Sequence, residues 1–266
     1  MAFALKGVAY ITGAGSGIGQ STALALARQG VRSFTLLDRN AVTETASQLK
    51  KSFPGISIKE LEMDVTDEKA VNHSVEQTVK EFGRLDYAFN NAGVGGAIDT
   101  TDKMDRKEFD RVLGVNTLGV WLCERAQIRQ MLKQEKLTDS YRSYRGSIVN
   151  MASMYGVIGP SADVPATAYA TSKHAVIGMT RADAAALALK GIKINAICPG
   201  YVATPLIGGA ESMEEGGAME MERKKVPLQR LGNVEEIADC VAFLHSDASS
   251  FMIGASLVVD GGFTIQ

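Results

Sequence analysis

The feature that most constrains this chain is an alternation, sustained along its 266 residues, of short β-branched apolar runs with longer stretches of helical periodicity. Strands are predicted over 7–12, 33–38, 57–63, 85–90, 146–151, 193–198 and 256–259. Most are continuous Val, Ile, Leu and Phe rather than alternating, the pattern of strands covered on both faces. Helices are predicted between them over 18–29, 41–51, 67–82, 111–133, 168–189 and 234–244. Ile18, Ala23, Leu26 and Ala27 fall on one face of the first, and Gly30 suits a stop just past its end. Strand–helix–strand alternation requires right-handed crossovers, hence a parallel sheet with helices on both faces. The expectation is an α/β, doubly wound, seven-stranded parallel sheet, one domain over 1–266. Two segments read as insertions or loops: 134–145, and the Gly-, Met- and Glu-rich 206–225, read as a lid.

A formal charge of -2 argues against a dedicated polyanion binder, and the cluster Arg223-Lys224-Lys225 reads as solvated helix surface. Cys123, Cys198 and Cys240 are scattered and odd in number, so buried free thiols are expected rather than a zinc site or disulfides. His73, His174 and His245 have no metal spacing, and no metal is expected. Residues 1–7 are too short for a leader before the first strand, and no apolar run approaches the ~20 residues of a membrane span. A cytoplasmic location, with no nucleic-acid or membrane partner, is the resulting expectation.

Thr12-Gly13-Ala14-Gly15-Ser16-Gly17-Ile18-Gly19 joins the first strand to the first helix. Glycines there permit a tight turn and close backbone approach to a pyrophosphate, while the helix N-terminus offers free N–H groups and a positive dipole end. The string fits TGxxxGxG and not GxGxxG, since counting from Gly13 puts Ile18 last and from Gly15 puts Gln20 last. A merely structural turn is the alternative for such a string alone; its place between strand and helix favours a dinucleotide. Gly13, Ser16, Gly17, Ile18 and Gly19 are the candidate contacts. Asp38 ends the second strand, 19 residues past Gly19, where a carboxylate accepts from ribose hydroxyls and repels a 2′-phosphate. That favours NAD, although the adjacent Arg39, by stacking on adenine or partly restoring phosphate binding, leaves NADP open. Capping the next helix is the structural alternative for Asp38. Asp64 and Val65 end the third strand near where an adenine edge would lie, and Asp64 suits a turn or cap almost as well.

Tyr169 and Lys173, at i and i+4, project from one helix face. A phenol near its reference pKa of ~10 is a poor acid–base group at neutral pH, and a neighbouring ammonium lowers that value. Alone, such a pair is more often surface decoration. In order along the chain, however, stand TGxxxGxG, Asn90-Asn91-Ala92-Gly93, Asn116, Ser153, Tyr169-Ala170-Thr171-Ser172-Lys173, Pro199-Gly200 and Asp260-Gly261-Gly262. This ordered set resembles the short-chain dehydrogenase/reductase family from Gly7 to about Gly262, and with it a Rossmann-type fold. The resemblance implies Tyr169 as general acid or base, and Lys173 holding the nicotinamide ribose and depressing the Tyr169 pKa. It implies Ser153 on the substrate oxygen, and Asn116 positioning a helix backbone and a proton-relaying water. Asn91, Ala92 and Gly93 would line the cofactor, with Pro199, Gly200, Val202 and Thr204 at the nicotinamide; Asn90 and Asp86 read as structural. Without Tyr169 and Lys173, Ser153 and Asn116 would read as turn and cap residues.

One departure stands out. Ser153 precedes Tyr169 by 16 residues where the family usually has about 13, the excess lying in Pro160-Ser161-Ala162-Asp163-Val164-Pro165-Ala166-Thr167. A bulged loop absorbs such length without moving its ends. Met154, Tyr155, Val164, Leu206 and Met213 are the candidate substrate contacts, for a small apolar alcohol or ketone. Trp121 suits either the core or a contact in a dimer or tetramer. The alternatives are another NAD(P)(H)-dependent step on the same fold, such as epimerisation or imine or enone reduction, or a non-catalytic dinucleotide-binding regulator.

Overall fold

The computed structural model describes residues 4–208 and 219–265. Seven parallel strands are β1 (Val8–Thr12), β2 (Ser33–Asp38), β3 (Ser57–Glu62), β4 (Tyr87–Asn90), β5 (Gly146–Met151), β6 (Ile192–Pro199) and β7 (Ser256–Val259). They form one sheet in the order β3-β2-β1-β4-β5-β6-β7. The order reverses between β1 and β4, so their C-terminal ends diverge into the crevice where doubly wound sheets take ligands. The helices are α1 (Gly17–Arg28), α2 (Thr43–Ser52), α3 (Glu68–Phe82), α4 (Arg106–Leu113), α5 (Val120–Met131), α6 (Thr167–Leu187), α7 (Glu220–Lys224) and α8 (Val234–His245).

Alternate side chains of each central strand feed two cores. Ala9, Ile11, Phe34, Leu36, Phe89 and Val149 pack with Leu26 of α1, Leu49 of α2 and Val241 of α8. On the other face Tyr10, Leu37, Ala88 and Ile148 pack with Val71 and Val75 of α3, Leu122 of α5 and Leu187 of α6. Both faces are covered, which is why the strand interiors read as unbroken apolar runs. β3 is the exception: its Lys59, Glu60 and Glu62 suit an edge, where charge discourages pairing with another chain.

Three boundaries differ from expectation for identifiable reasons. Leu85 lies outside β4 because the Gln134 side chain takes its backbone, accepting from Leu85 N–H and donating to Leu85 C=O. The helix expected over 111–133 starts earlier, at Arg106, where Asp105 accepts from the Lys107 N–H as N-cap. That helix is also interrupted by a π-helical segment, Gly114–Gly119, between α4 and α5. Asp38 caps nothing, since α2 begins at Thr43 after Val42. Trp121 is neither core nor free: it is 40% exposed, with the Arg125 guanidinium 4.4 Å above its ring. All three cysteines are free thiols. Among the described residues no helix is long and apolar enough to cross a membrane.

Candidate active site

The turn after β1 is built for close backbone approach. Gly13 and Gly17 adopt left-handed φ of 66° and 54°, and a Cβ on Gly19 would stand 2.0 Å from the Gly13 carbonyl oxygen. Ser16, at the N-cap of α1, makes no side-chain capping bond, which leaves the first N–H groups of the helix to an outside acceptor. Thr12 Oγ1 accepts from the backbone N–H groups of Asn91 and Ala92, each at 3.1 Å. Asn91 Nδ2 donates to the carbonyls of Thr12 and Gly13. The Asn91 side chain therefore buttresses the turn, on the stretch 91–93 that the resemblance places along a cofactor.

Asp38 is held at the turn by two donors, Gly15 N–H at Oδ2 and Asn40 N–H at Oδ1, both 3.1 Å. A groove of about 120 Å³ runs beside it, bordered by Gly13, Asp38, Arg39, Asp64, Val65 and Gly93. Asp64 also closes a turn, accepting from the N–H and hydroxyl of Thr66, which is the structural role that its sequence position allowed. A side-chain-free cradle, an uncapped helix start and a fixed carboxylate at the end of β2 fit the pyrophosphate and ribose of a dinucleotide. A larger cavity of about 400 Å³, beside Tyr87, Lys193 and His245, opens at the N-terminal end of the sheet, away from every residue of this constellation. Size alone does not locate the chemistry.

At the end of β5, Ser153 turns the chain into a short 3₁₀ segment, Met154–Gly156, and its Oγ accepts from the Tyr155 N–H at 3.1 Å. That segment lies hard against α6: a Cβ on Gly156 would stand 2.7 Å from the Lys173 carbonyl oxygen. The close approach brings the Ser153 hydroxyl into hydrogen bonding with the Tyr169 phenol. The three extra residues before Tyr169 are taken up as a surface loop, ending where Ala166 bridges Asp99. Lys173 is 3% exposed; its Nζ donates to Met151 C=O at 2.8 Å and lies 5.5 Å from the Tyr169 ring centroid. Two of its three protons thus remain for a ligand.

The expected lowering of the Tyr169 pKa by Lys173 is not what this arrangement produces. Burial raises the Tyr169 pKa, and the Ser153 hydrogen bond opposes that only in part. Burial likewise pushes the Lys173 pKa down to about 8. Each group is driven toward its neutral form, because loss of water penalises phenolate and ammonium alike.

Asn116 sits in the π-helical segment, where Oδ1 accepts from Val94 N–H at 2.8 Å and Nδ2 donates to Val94 C=O at 2.9 Å. Nδ2 also donates to Ser172 Oγ. Asn116 thus ties the loop after β4 to α6, beside Gly93, where a Cβ would lie 3.3 Å from Asn116 Oδ1 and 3.7 Å from Lys173 Nζ. From β6, the chain past Pro199 folds over the glycine turn, so that a Cβ on Gly17 would meet Thr204 Cγ2 at 3.5 Å. Gly200 is dictated by Asp260, whose Cα would lie 2.7 Å from an added Cβ. Val202 bridges Gly232 and is buried.

Of the expected substrate contacts, Leu206 is exposed and borders Gly95 at the mouth. Met154, Tyr155 and Val164 are buried instead of open to it; Met154 and Tyr155 join the cluster packed behind Tyr169. Met213 lies outside the described residues. Sequence reasoning missed Thr12, Gly156, Ser172 and Tyr201. Thr12 and Ser172 had a signal in their place within the glycine and Tyr–Lys strings. Gly156 had none, since its partner is distant in the chain, and Tyr201 stood within the 199–204 string expected at the nicotinamide, with nothing to show its hydroxyl contacts.

A family model described as enoyl-(acyl carrier protein) reductase matches residues 13–264. A short-chain dehydrogenase of Penicillium roqueforti is 39% identical, with 100% of this chain and 99% of that protein covered. A cyclohexanol dehydrogenase of Acinetobacter is 38% identical over 97% of this chain and 94% of its own length. The crystal structure of levodione reductase superposes with a TM-score of 0.86 at 34% identity, covering 96% of each chain. With likeness of sequence and of fold running along essentially its whole length, this chain belongs to the short-chain dehydrogenase/reductase family.

Proposed function

We propose that this oxidoreductase interconverts a secondary alcohol and a ketone on a small, mainly apolar ring, and that it prefers NAD(H) to NADP(H). The observation that carries the reading is the meeting of the Ser153 hydroxyl and Tyr169 phenol above a buried Lys173 ammonium, at the C-terminal edge of the sheet. Two similar proteins, a cyclohexanol dehydrogenase and a levodione reductase, bear names that specify ring alcohol or ketone chemistry. A pure binder has no use for an ammonium kept from water at a cost in stability.

In reduction, Tyr169 donates its phenolic proton to the carbonyl oxygen while Ser153 donates a hydrogen bond that steadies the developing negative charge. Nicotinamide, when bound, supplies the hydride. In oxidation the same phenol must first lose its proton and then receive that of the alcohol. Lys173, with two free N–H bonds, holds ribose hydroxyls and so fixes the ring against the substrate carbon. Asp38, immobilised by Gly15 and Asn40, accepts from the other ribose and repels a 2′-phosphate.

Fluorescence titration should give an NADH affinity at least about tenfold above that for NADPH, a difference of ~1.4 kcal/mol. Tighter NADPH binding removes the role given to Asp38. With cyclohexanone and NADH, Tyr169→Phe should bind NADH normally and lose roughly 10²- to 10⁴-fold in turnover. Retained turnover in that variant sinks the acid–base assignment.

A further inference from the structure

α7 is five residues long, too short to hold itself, and its one buried side chain is a carboxylate: Glu222, 2% exposed. That carboxylate is fully engaged. Tyr201 Oη donates to Oε2 at 3.0 Å, Ser161 Oγ donates to Oε1 at 2.9 Å, and Lys225 Nζ also reaches Oε1. Lys225 bridges onward to Asp163 at 3.2 Å. Ser161 and Asp163 belong to the lengthened loop between Ser153 and Tyr169, so Glu222 binds that loop to α7.

Hydrogen bonding continues from Glu222 toward the site. Tyr155 Oη and Tyr201 Oη are 2.6 Å apart. A carboxylate only accepts, so Tyr201 spends its single proton on Glu222, and Tyr155 must then donate to Tyr201. The Tyr155 oxygen is left to accept from the Ser161 backbone N–H. Its own backbone N–H donates to Ser153 Oγ. Edge-to-face contacts among Tyr155, Tyr201 and Phe263 fix the rings, with centroids 5.7 to 6.4 Å apart.

We propose that Glu222 is a positioning residue for the reaction: through Tyr201 it points the Tyr155 phenolic proton away from Tyr169 and fixes the turn that holds Ser153. Resting on the reading of Ser153 and Tyr169 given above, this assigns Ser153 and Tyr169 as the hydroxyl donors to the substrate oxygen among the described residues. An amide in place of Glu222 can donate to Tyr201. The chain of protons then reverses, and Tyr155 is freed to compete at the site.

The test compares Glu222→Gln, which keeps shape and loses charge, with Glu222→Asp, which keeps charge and loses shape. With cyclohexanone and NADH, Glu222→Gln should lose about tenfold in kcat/KM, mainly through KM, at unchanged NADH affinity. Glu222→Asp should retain more activity than Glu222→Gln. Tyr201→Phe, which breaks the relay but keeps its ring, should match Glu222→Gln, and the double variant should lose no more than either. Amide hydrogen exchange without substrate should quicken at Tyr155 and Ser161 in Glu222→Gln and less in Glu222→Asp. Equal or better performance of Gln than Asp in both measurements overturns the proposal. If wild type does not reduce cyclohexanone, the reading of the site fails for that substrate, while exchange still decides the role of Glu222.

Discussion

Tyr169 and Lys173 meet the same physical problem from opposite charges. Burial lifts the pKa of the phenol and drops that of the ammonium to about 8, so the free protein holds Tyr169 protonated at neutral pH. That is the form that reduces a ketone. In kcat/KM measured against pH, reduction should therefore stay level through neutrality and fall on the alkaline side, first as Lys173 loses its proton near pH 8 and then as the phenol ionises. Oxidation, which needs the phenolate, should climb over the same range. An ionisation below pH 7 that switches reduction off at higher pH would assign the acid to another group. The residue types of this site were legible because the Tyr169–Lys173 pair stands in order with the glycine turn, Asn116 and Ser153, the set that resembles the family; the spacing of the pair alone does not single it out. Their electrostatics were not, since desolvation depends on how completely α6 and the Ser153 turn exclude water.

Among the elements, the glycine turn was legible down to its individual positions, because a left-handed φ or a 2.0 Å approach leaves glycine no substitute. Gly19→Ala should force the turn open against the Gly13 carbonyl. The expected outcome is a loss of NADH affinity by more than about tenfold, equivalent to ~1.4 kcal/mol, with the far-UV circular dichroism of the sheet and helices retained. Unchanged affinity would mean that the turn does not carry the pyrophosphate. The π-helical segment, by contrast, was invisible: residues 111–133 read as one helix. Nothing local widens those turns. The contacts made there are tertiary, from Asn116 to both backbone groups of Val94 and from Thr117 to the Ser172 carbonyl.

Across the whole molecule, a polar thread runs through the apolar layers between sheet and helices. Gln127 and Asn90 exchange hydrogen bonds through their side-chain amides, Asn90 donates to Asn150, and Asn150 donates to Glu124 and to Thr180. Glu124 Oε1 is buried without a partner, and burial raises the Glu124 pKa to about 8. A carboxyl whose folded pKa lies above its unfolded value contributes its full stability below about pH 4.5 and loses it as pH rises toward 8. The whole interval is worth on the order of a few kcal/mol. Urea midpoints should therefore fall between pH 5 and 8 more steeply in wild type than in Glu124→Gln. His245, lowered to about 3, loses stability in the opposite direction as pH drops below 6.5, equally in both proteins, and cancels. Parallel midpoints in the two proteins would show that Glu124 ionises without penalty.

The sequence by itself determined the sheet, its parallel sense, the place of the glycine turn and the four residues Asn116, Ser153, Tyr169 and Lys173. The sheet and the turn follow from periodicity and short spacing, which the local chain carries, whereas the four residues follow from the resemblance of the ordered motifs to the family. Tertiary structure decided what those residues touch: that Asn91 props the turn, that Met154 and Tyr155 are buried behind Tyr169, and that Glu222 reaches Ser153 through two tyrosines. The hydrogen bonds of Asn91 and of Tyr201 among them join residues 21 to 79 positions apart. Their existence depends on excluded water and close packing at the end of the sheet, and neither is a property of any local stretch of chain.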